Sequence, residues 1–170
     1  MSYALVHYPN INTEYINHIR QKYDPQFYLI EPHITFVFPI IEFISEKKFI
    51  LHIERILSKR KTFFIHLKGL QKSWDDHLFL MVEEGKLDII KLHHELYTGI
   101  LAEHCRDNLL FVPHLTLGGF TKDTDKFLQM LEEAQHLDLN YHCVVDKLHL
   151  ININDEQRSI IWSKEFALRN

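Results

Sequence analysis

Residues 32–36 read Pro32-His33-Ile34-Thr35-Phe36, and residues 113–117 read Pro113-His114-Leu115-Thr116-Leu117. The pattern proline-histidine-aliphatic-threonine-apolar thus occurs twice, 81 residues apart in a chain of 170. In a shuffled chain of this composition Pro-His-x-Thr is expected about 0.02 times, and two copies about once in ten thousand shuffles. A spacing near half the chain predicts two related lobes. Each copy is a β-rich run opened by proline, so each reads as a strand. On a strand, residues i and i+2 share a face. His33 and Thr35 therefore point one way, and Ile34 and Phe36 the other. His114 and Thr116 part in the same manner from Leu115 and Leu117. If the lobes are related by an approximate two-fold axis, both His-Thr pairs converge across a cleft.

The elements around these runs alternate in type. Ser2 to Tyr8 reads as a strand, and Asn12 to Lys22 as a helix capped by Asn12 or Thr13 and ended by Pro25. Ser45 opens a helix running to Lys59, with Phe49, Ile50, Ile53, Ile56 and Leu57 on one face. Thr62 to Lys68 and His77 to Val82 read as two strands joined through Gly69 to Asp76. A long helix is predicted from Lys86 to about His104, with Ile89, Leu92, Leu96 and Ile100 as its apolar stripe. Asp123 to His136 reads as a short helix carrying Phe127, Leu128 and Leu131. Tyr141 to Ile153 and Arg158 to Leu168 read as two strands joined by a turn at Asn154–Asp155. Helices flanking mostly antiparallel strands make the class α+β. No Gly/Ser linker or charge block divides the chain, so residues 1–170 are expected to be a single two-lobed domain.

Composition sets limits on function. The chain is 46% hydrophobic and 25% charged, with only 5 Gly and 5 Pro, which excludes disordered and collagenous classes. Cys105 and Cys143 make neither a disulfide framework nor a C-x-x-C site. A net charge of −4 argues against a coat that binds long nucleic acid without regard to sequence. One local pocket can still be positive and take a small or end-bound anion. No apolar run approaches the roughly 18 residues of a membrane span. The first basic residue is Arg20, so the charged start of a signal peptide is missing. The expectation is a cytoplasmic monomer with no membrane partner. His93 and His94 are adjacent on a helix and point about 100° apart, unlike a chelating i, i+4 pair. His104, His136, His142 and His149 have no recognised ligand spacing. No metal and no cofactor are expected.

Two imidazoles and two hydroxyls around one point suit a phosphate. A neutral His takes a proton from the attacking water or hydroxyl, and an imidazolium gives one to the leaving oxygen. Histidine, with an ordinary pKa of about 6.5, serves in either state. The Thr hydroxyls donate to the non-bridging oxygens, where charge sits in the transition state. His33 and His114 are thus the candidate catalytic pair, and Thr35 and Thr116 the candidate phosphate-binding pair. Tyr8, Phe38, Trp74 and Phe120 are aromatic candidates for stacking on a base at the cleft mouth, each equally readable as core packing.

The paired His-x-Thr motifs resemble the two-histidine (2H) phosphoesterase superfamily, which includes the bacterial 2′-5′ RNA ligases and cyclic phosphodiesterases. The resemblance extends to Tyr23-Asp24-Pro25, Phe38-Pro39, Leu78-Phe79-Leu80 and Phe111-Val112-Pro113. It implies a bilobal fold: two pseudo-symmetric lobes of antiparallel sheet, helices packed outside, and an active-site groove between them. It also implies a metal-independent phosphodiesterase acting on 2′,3′-cyclic phosphate nucleotides, RNA ends or 2′-5′ linkages. The partner would be that nucleotide or RNA-end substrate. Alternatives of the same fold are 2′-5′ ligation, which needs the same four residues, and a non-catalytic module that binds a nucleotide or RNA end. One departure stands out. Some RNA-processing members carry a basic residue just after the second motif, where this chain has Gly118, Gly119 and Phe120.

Overall fold

The structure is a computed structural model that describes residues 2–41, 44–73, 75–105, 110–119, 123–154 and 156–169. Trp74, Phe120 and Asp155, named above, lie outside the described residues. The strands are β1 (Ser2–His7), β2 (Ile34–Ile40), β3 (Phe63–Lys72), β4 (Leu78–Glu84), β5 (His114–Gly118), β6 (Asn140–Val145), β7 (Lys147–Ile153) and β8 (Ile160–Ala167). The helices are α1 (Glu14–Tyr23), α2 (Glu46–Leu57), α3 (Lys86–Leu96) and α4 (Thr124–Gln135), with a 3-10 helix at Gly99–His104. All eight strands join one sheet in the order β6-β3-β4-β5-β2-β1-β7-β8, and every pairing is antiparallel.

The expected lobes are the two halves of this sheet. The order is a palindrome about its middle: β5 matches β2, β4 matches β1, β3 matches β7 and β6 matches β8. The halves meet at a single bridge, Ile34↔Leu115. Helices reinforce this narrow joint by crossing it. α1, which follows β1, packs on β5, and α3, which follows β4, packs on β2. At the far end Thr62 N–H donates to the Arg169 carbonyl at 2.8 Å, and Arg169 N–H to the Arg60 carbonyl at 2.8 Å.

Most of the helix residues expected at apolar spacing join one core; on α4 the expected Leu128 is instead 54% exposed, and Met130 and Ala134 are buried in addition to Phe127. Ile16 and Ile19 of α1, Phe49, Ile53 and Leu57 of α2, Ile89, Leu92 and Leu96 of α3, and Phe127, Met130 and Ala134 of α4 are buried against β-strand aliphatics. A smaller cluster, Ala4, Val6 and Ile151, occupies the other face of the β1–β7 pair. Among the described residues no helix is long and apolar enough to cross a membrane.

Three sequence expectations change. The helix from Lys86 does not run to His104: α3 stops at Leu96, Thr98 is extended, and Gly99 has φ +56°. Ile100 consequently leaves the stripe and is 39% exposed. The single strand expected from Tyr141 to Ile153 is two strands, interrupted at Asp146, because β6 pairs with β3 and β7 with β1. Ser45 stands at the start of α2 without a side-chain capping bond, whereas Asn12 Oδ1 accepts from Glu14 N–H at 2.9 Å.

Candidate functional site

The alternation read from the motifs is what the fold uses. Ile34, Phe36, Leu115 and Leu117 are fully buried, and His33, Thr35, His114 and Thr116 are half-buried on the opposite face. Ile34 faces Leu115 in an antiparallel pair. One residue to either side, that register sets His33 beside Thr116 and Thr35 beside His114. The joint of the sheet therefore brings both His-Thr pairs to one place.

The two histidines are held alike. His33 Nδ1 lies 2.8 Å from the Glu31 carbonyl oxygen, and His114 Nδ1 lies 2.6 Å from the Val112 carbonyl oxygen. A carbonyl only accepts, so Nδ1 carries the proton in each ring. In the neutral ring Nε2 is then the basic nitrogen. In each case the acceptor sits two residues before the histidine, with the motif proline between them.

Their surroundings differ. Burial lowers the His33 imidazole to about 4; the Glu31 carbonyl and Asp24 oppose this, while the Arg20 guanidinium and His114 add to it. Arg20 and Asp24 form a buried ion pair, with Arg20 Nη2 at 2.8 Å from Asp24 Oδ2 and also donating to the Ile30 carbonyl. Tyr8 meets the His33 ring edge-on at 6.3 Å and His149 at 5.0 Å. Burial also lowers His114; the Val112 carbonyl raises it, His77 lowers it and Asp75 raises it. Phe79 stacks on the His114 ring at 3.6 Å with 19° between planes.

A cavity of about 590 Å³ opens beside His114 and Thr116. Its polar end is formed by Gln71, Lys72, Ser73, Asp75 and His77, and its apolar end includes Phe38, Tyr97 and Phe111. His33 and Thr35 are not part of that lining, so the cavity lies to one side of the joint. Of the aromatic candidates, Phe38 lines the cavity and Tyr8 adjoins His33. Asp75, His77 and Arg20 were not named as site residues in the sequence, and Asp24 and Phe79 entered only within the segments that carry the resemblance. Ser73-x-Asp75-x-His77, a polar period-two run ahead of a strand, is the one local signal for the first two.

The glycines after the second motif have a steric cause. A Cβ on Gly118 would come within 2.7 Å of Met130 Sδ and 2.8 Å of Tyr23 Cβ. Gly119, at φ +149°, would place one 2.7 Å from His77 Cα. Gly119 N–H donates to the Tyr23 carbonyl at the end of α1. At the matching place in the first half, Phe38 N–H donates to the Tyr97 hydroxyl just after α3. Where the resemblance led one to look for a basic side chain, the backbone instead receives a helix end and the His77 ring.

Known proteins are similar to this chain in sequence and in fold. Residues 8–157 match the family model described as the 2′-5′ RNA ligase superfamily. The chain belongs to the 2′-5′ RNA ligase superfamily. A Bacillus licheniformis superfamily relative named "Putative phosphoesterase" is 26% identical over 156 residues, covering 89% of each chain. A Bacillus cereus protein of the same name is 28% identical over 138 residues, covering 79% of this chain and 78% of the other. Among solved structures, Escherichia coli LigT complexed with ATP is similar with a TM-score of 0.61 at 16% identity, over 99% of this chain and 98% of LigT. A Thermus thermophilus protein reaches a TM-score of 0.65 at 13% identity, over 100% and 99% of the two chains. At these identities the structural likeness establishes the shared fold, α+β with one antiparallel sheet. The superfamily membership supports a phosphoesterase.

Buried neutral histidines make this fold sensitive to acid. His7, His33, His93, His114 and His149 are each lowered from the ordinary value, with burial the largest cause in every case. His93, which is 6% exposed and bonded through Nδ1 to the Phe36 carbonyl at 2.8 Å, falls to about 4, as does His33. Below about 6.5 the unfolded chain binds protons that the folded chain refuses until about pH 4. The histidine contribution to stability is therefore complete above about 6.5 and falls as pH drops toward 4. A Tm that declines steadily from pH 7 to 4.5, above the titration of most carboxylates, is the expected result. A flat Tm over that interval would contradict it.

Proposed function

We propose that the protein is a metal-independent phosphodiesterase that opens 2′,3′-cyclic phosphates of nucleotides or RNA ends, with His33 and His114 as its acid–base pair. The observation that carries this reading is the matched tethering of the two rings, each through Nδ1 to the carbonyl two residues back, on strands that meet at Ile34↔Leu115. Thr35 and Thr116 would donate to the non-bridging oxygens. LigT has been solved with phosphate, ATP, NADP+ and 3′-AMP, which supports a nucleotide as the ligand class.

The asymmetry of the site favours one division of the roles. In a cyclic phosphate the nucleoside carries the leaving oxygen, and water attacks phosphorus from the opposite side. A nucleoside in the cavity puts the leaving oxygen on the His114 side and the water on the His33 side. His33 Nε2, neutral above about pH 4, takes the water's proton as the new P–O bond forms. His114, as imidazolium, gives its Nε2 proton to the ribose oxygen as the old P–O bond breaks. The product is a nucleoside monophosphate, and the proton moved to His33 returns to His114 through solvent. Formation of a 2′-5′ bond from a 2′,3′-cyclic phosphate would use the two groups in the same sense, with a 5′-hydroxyl in place of the water and the ribose 3′ oxygen leaving.

Two measurements test this. With the four 2′,3′-cyclic nucleotides and a 2′-5′ dinucleotide in EDTA, the wild type should turn over and the His33→Ala/His114→Ala double variant should not. Thr35→Ala and Thr116→Ala should each cost about ten- to a hundredfold, since water partly replaces a hydroxyl donor. Equal turnover by wild type and double variant would end the proposal. The pH profile of kcat/KM should be a bell, rising as His33 loses its proton near 4 and falling as His114 loses its own below 6.5. Bound phosphodiester, an anion, moves both limbs of the kcat profile to higher pH. A flat profile between pH 4 and 9 would exclude acid–base catalysis by this pair.

A further inference from the structure

One wall of the cavity beside His114 is a chain of rings ending in a carboxylate. His114 lies against Phe79 at 3.6 Å, and on that ring's far side His77 follows at 6.2 Å with 28° between planes. His77 Nδ1 is 2.9 Å from Asp75 Oδ1. Ser73 Oγ donates to that same Asp75 oxygen and accepts from His77 N–H at 2.8 Å. The His77 side chain is 12% exposed, and its ring packs on Gly119, where a Cβ would approach Cδ2 to 2.8 Å. Side chain, backbone and glycine together fix an imidazole–carboxylate pair next to a motif histidine. Although burial pushes the Asp75 carboxyl up, bonds from Ser73 and His77 outweigh it and hold the group below its usual value. Beside His33, by contrast, stands a buried guanidinium in its own ion pair.

We propose that Asp75 and His77 are a positioning pair for His114. They brace its ring through Phe79 and set the balance of charge beside it, which gives the two sequence-equivalent histidines unequal tasks. This rests on the reading of His114 as the proton donor. Among the described residues the other charged or titratable groups at the site are Lys72 from β3, ion-paired with Asp76 at 2.7 Å, His93 from α3, Tyr97 just after it, and His33 ahead of β2. Asp75 supplies the negative charge that favours the imidazolium of His114. His77 offsets that charge while the pair is intact.

The pair predicts opposite effects from its two members. The His114 ring proton is followed by NMR across pH 3–9 in the unliganded full chain and assigned by its loss in His114→Gln. Asp75→Asn is expected to lower the His114 midpoint by about 0.5 in pH, the size of a charge effect weaker than a contact pair. His77→Gln, which leaves the Asp75 charge unopposed, should raise it by about as much. Asp75→Glu should restore the wild-type midpoint, and it carries the comparison with His77→Gln if Asp75→Asn does not fold. Midpoints that stay at the wild-type value, or that move in the same direction in both variants, would overturn the proposal. The alkaline limb of kcat/KM should follow with the same signs. Ring midpoints that move as expected while that limb stays still would refute His114 as the donor and leave the charge pairing supported. The ring titration needs no turnover, so it tests the pair even if the cyclic-phosphate reading fails.

Discussion

Replacing His114 with alanine is expected to lower kcat on a 2′,3′-cyclic nucleotide by about 10²–10⁴-fold while the protein stays folded. His114 reaches the cleft from a strand whose core-facing residues, Leu115 and Leu117, are untouched by the change. What the fold loses is one bond to the Val112 carbonyl and the stack on Phe79, worth about 0.5–1.5 kcal/mol for the ring pair. On the proposed mechanism the reaction loses its proton donor. The leaving alkoxide then departs unprotonated or borrows a proton from water. His33→Ala should cost a similar factor by removing the base. The double variant should be far less impaired than the product of the two single losses, because both groups act in one step. Retention of more than a tenth of wild-type activity by either single variant would refute the assignment.

The second large effect concerns stability. Arg20→Met is expected to destabilise the protein by about 3–5 kcal/mol, because it strands a buried carboxylate. Arg20 is 2% exposed and Asp24 9%. Arg20 Nε and Nη2 each lie 2.8 Å from Asp24 Oδ2. Asp24 Oδ1 also accepts from Gln26 N–H at 2.8 Å, and Arg20 Nη2 holds the Ile30 carbonyl. The pair thereby ties the end of α1 to the segment leading into His33. Arg20→Met/Asp24→Leu should recover much of the loss, since an apolar pair leaves no unpaired charge. Urea midpoints of the three proteins decide the matter. A single variant as stable as the wild type would show that the pair is not coupled to folding.

The seat of the candidate chemistry was legible because one repeated pentapeptide carries both the strand period and the reactive groups. His33, Thr35, His114 and Thr116 fall where period-two alternation puts them. The apolar faces of α2 and of α3 as far as Leu96 were legible from the 3.6-residue period, whereas on α4 the spacing pointed to Leu128, which is exposed, and missed Met130 and Ala134. Connection between elements was not. Asp146 looks like one more residue of a strand, yet neighbours far apart in sequence, β3 and β1, claim the residues on either side of it. The 3-10 helix at Gly99–His104 could be read as continuing α3 because Ile100 keeps helical spacing. The Asp75–His77 pair escaped notice because His114 and Gly119 come beside Phe79 and His77 only when β4 pairs with β5. Arg20 and Asp24, four apart on a helix, look like any solvated surface pair until Ile30 closes over them.

The palindromic strand order has one more consequence. The first half of the chain builds β1 and β2 of its own lobe and sends β3 across to β4; the second half builds β4, β5 and β6 of its own lobe and sends β7, followed by β8, across to β1. A polypeptide containing only the first half would leave β1 with a bare edge and β3 with no sheet to extend. It could complete both only by embracing a second copy, each lending a strand to the other. The two-lobed chain is thus equivalent to a strand-exchanged dimer whose subunits have been joined end to end. Within one chain the two halves are not bound to strict symmetry, so two matching histidines can stand in different neighbourhoods.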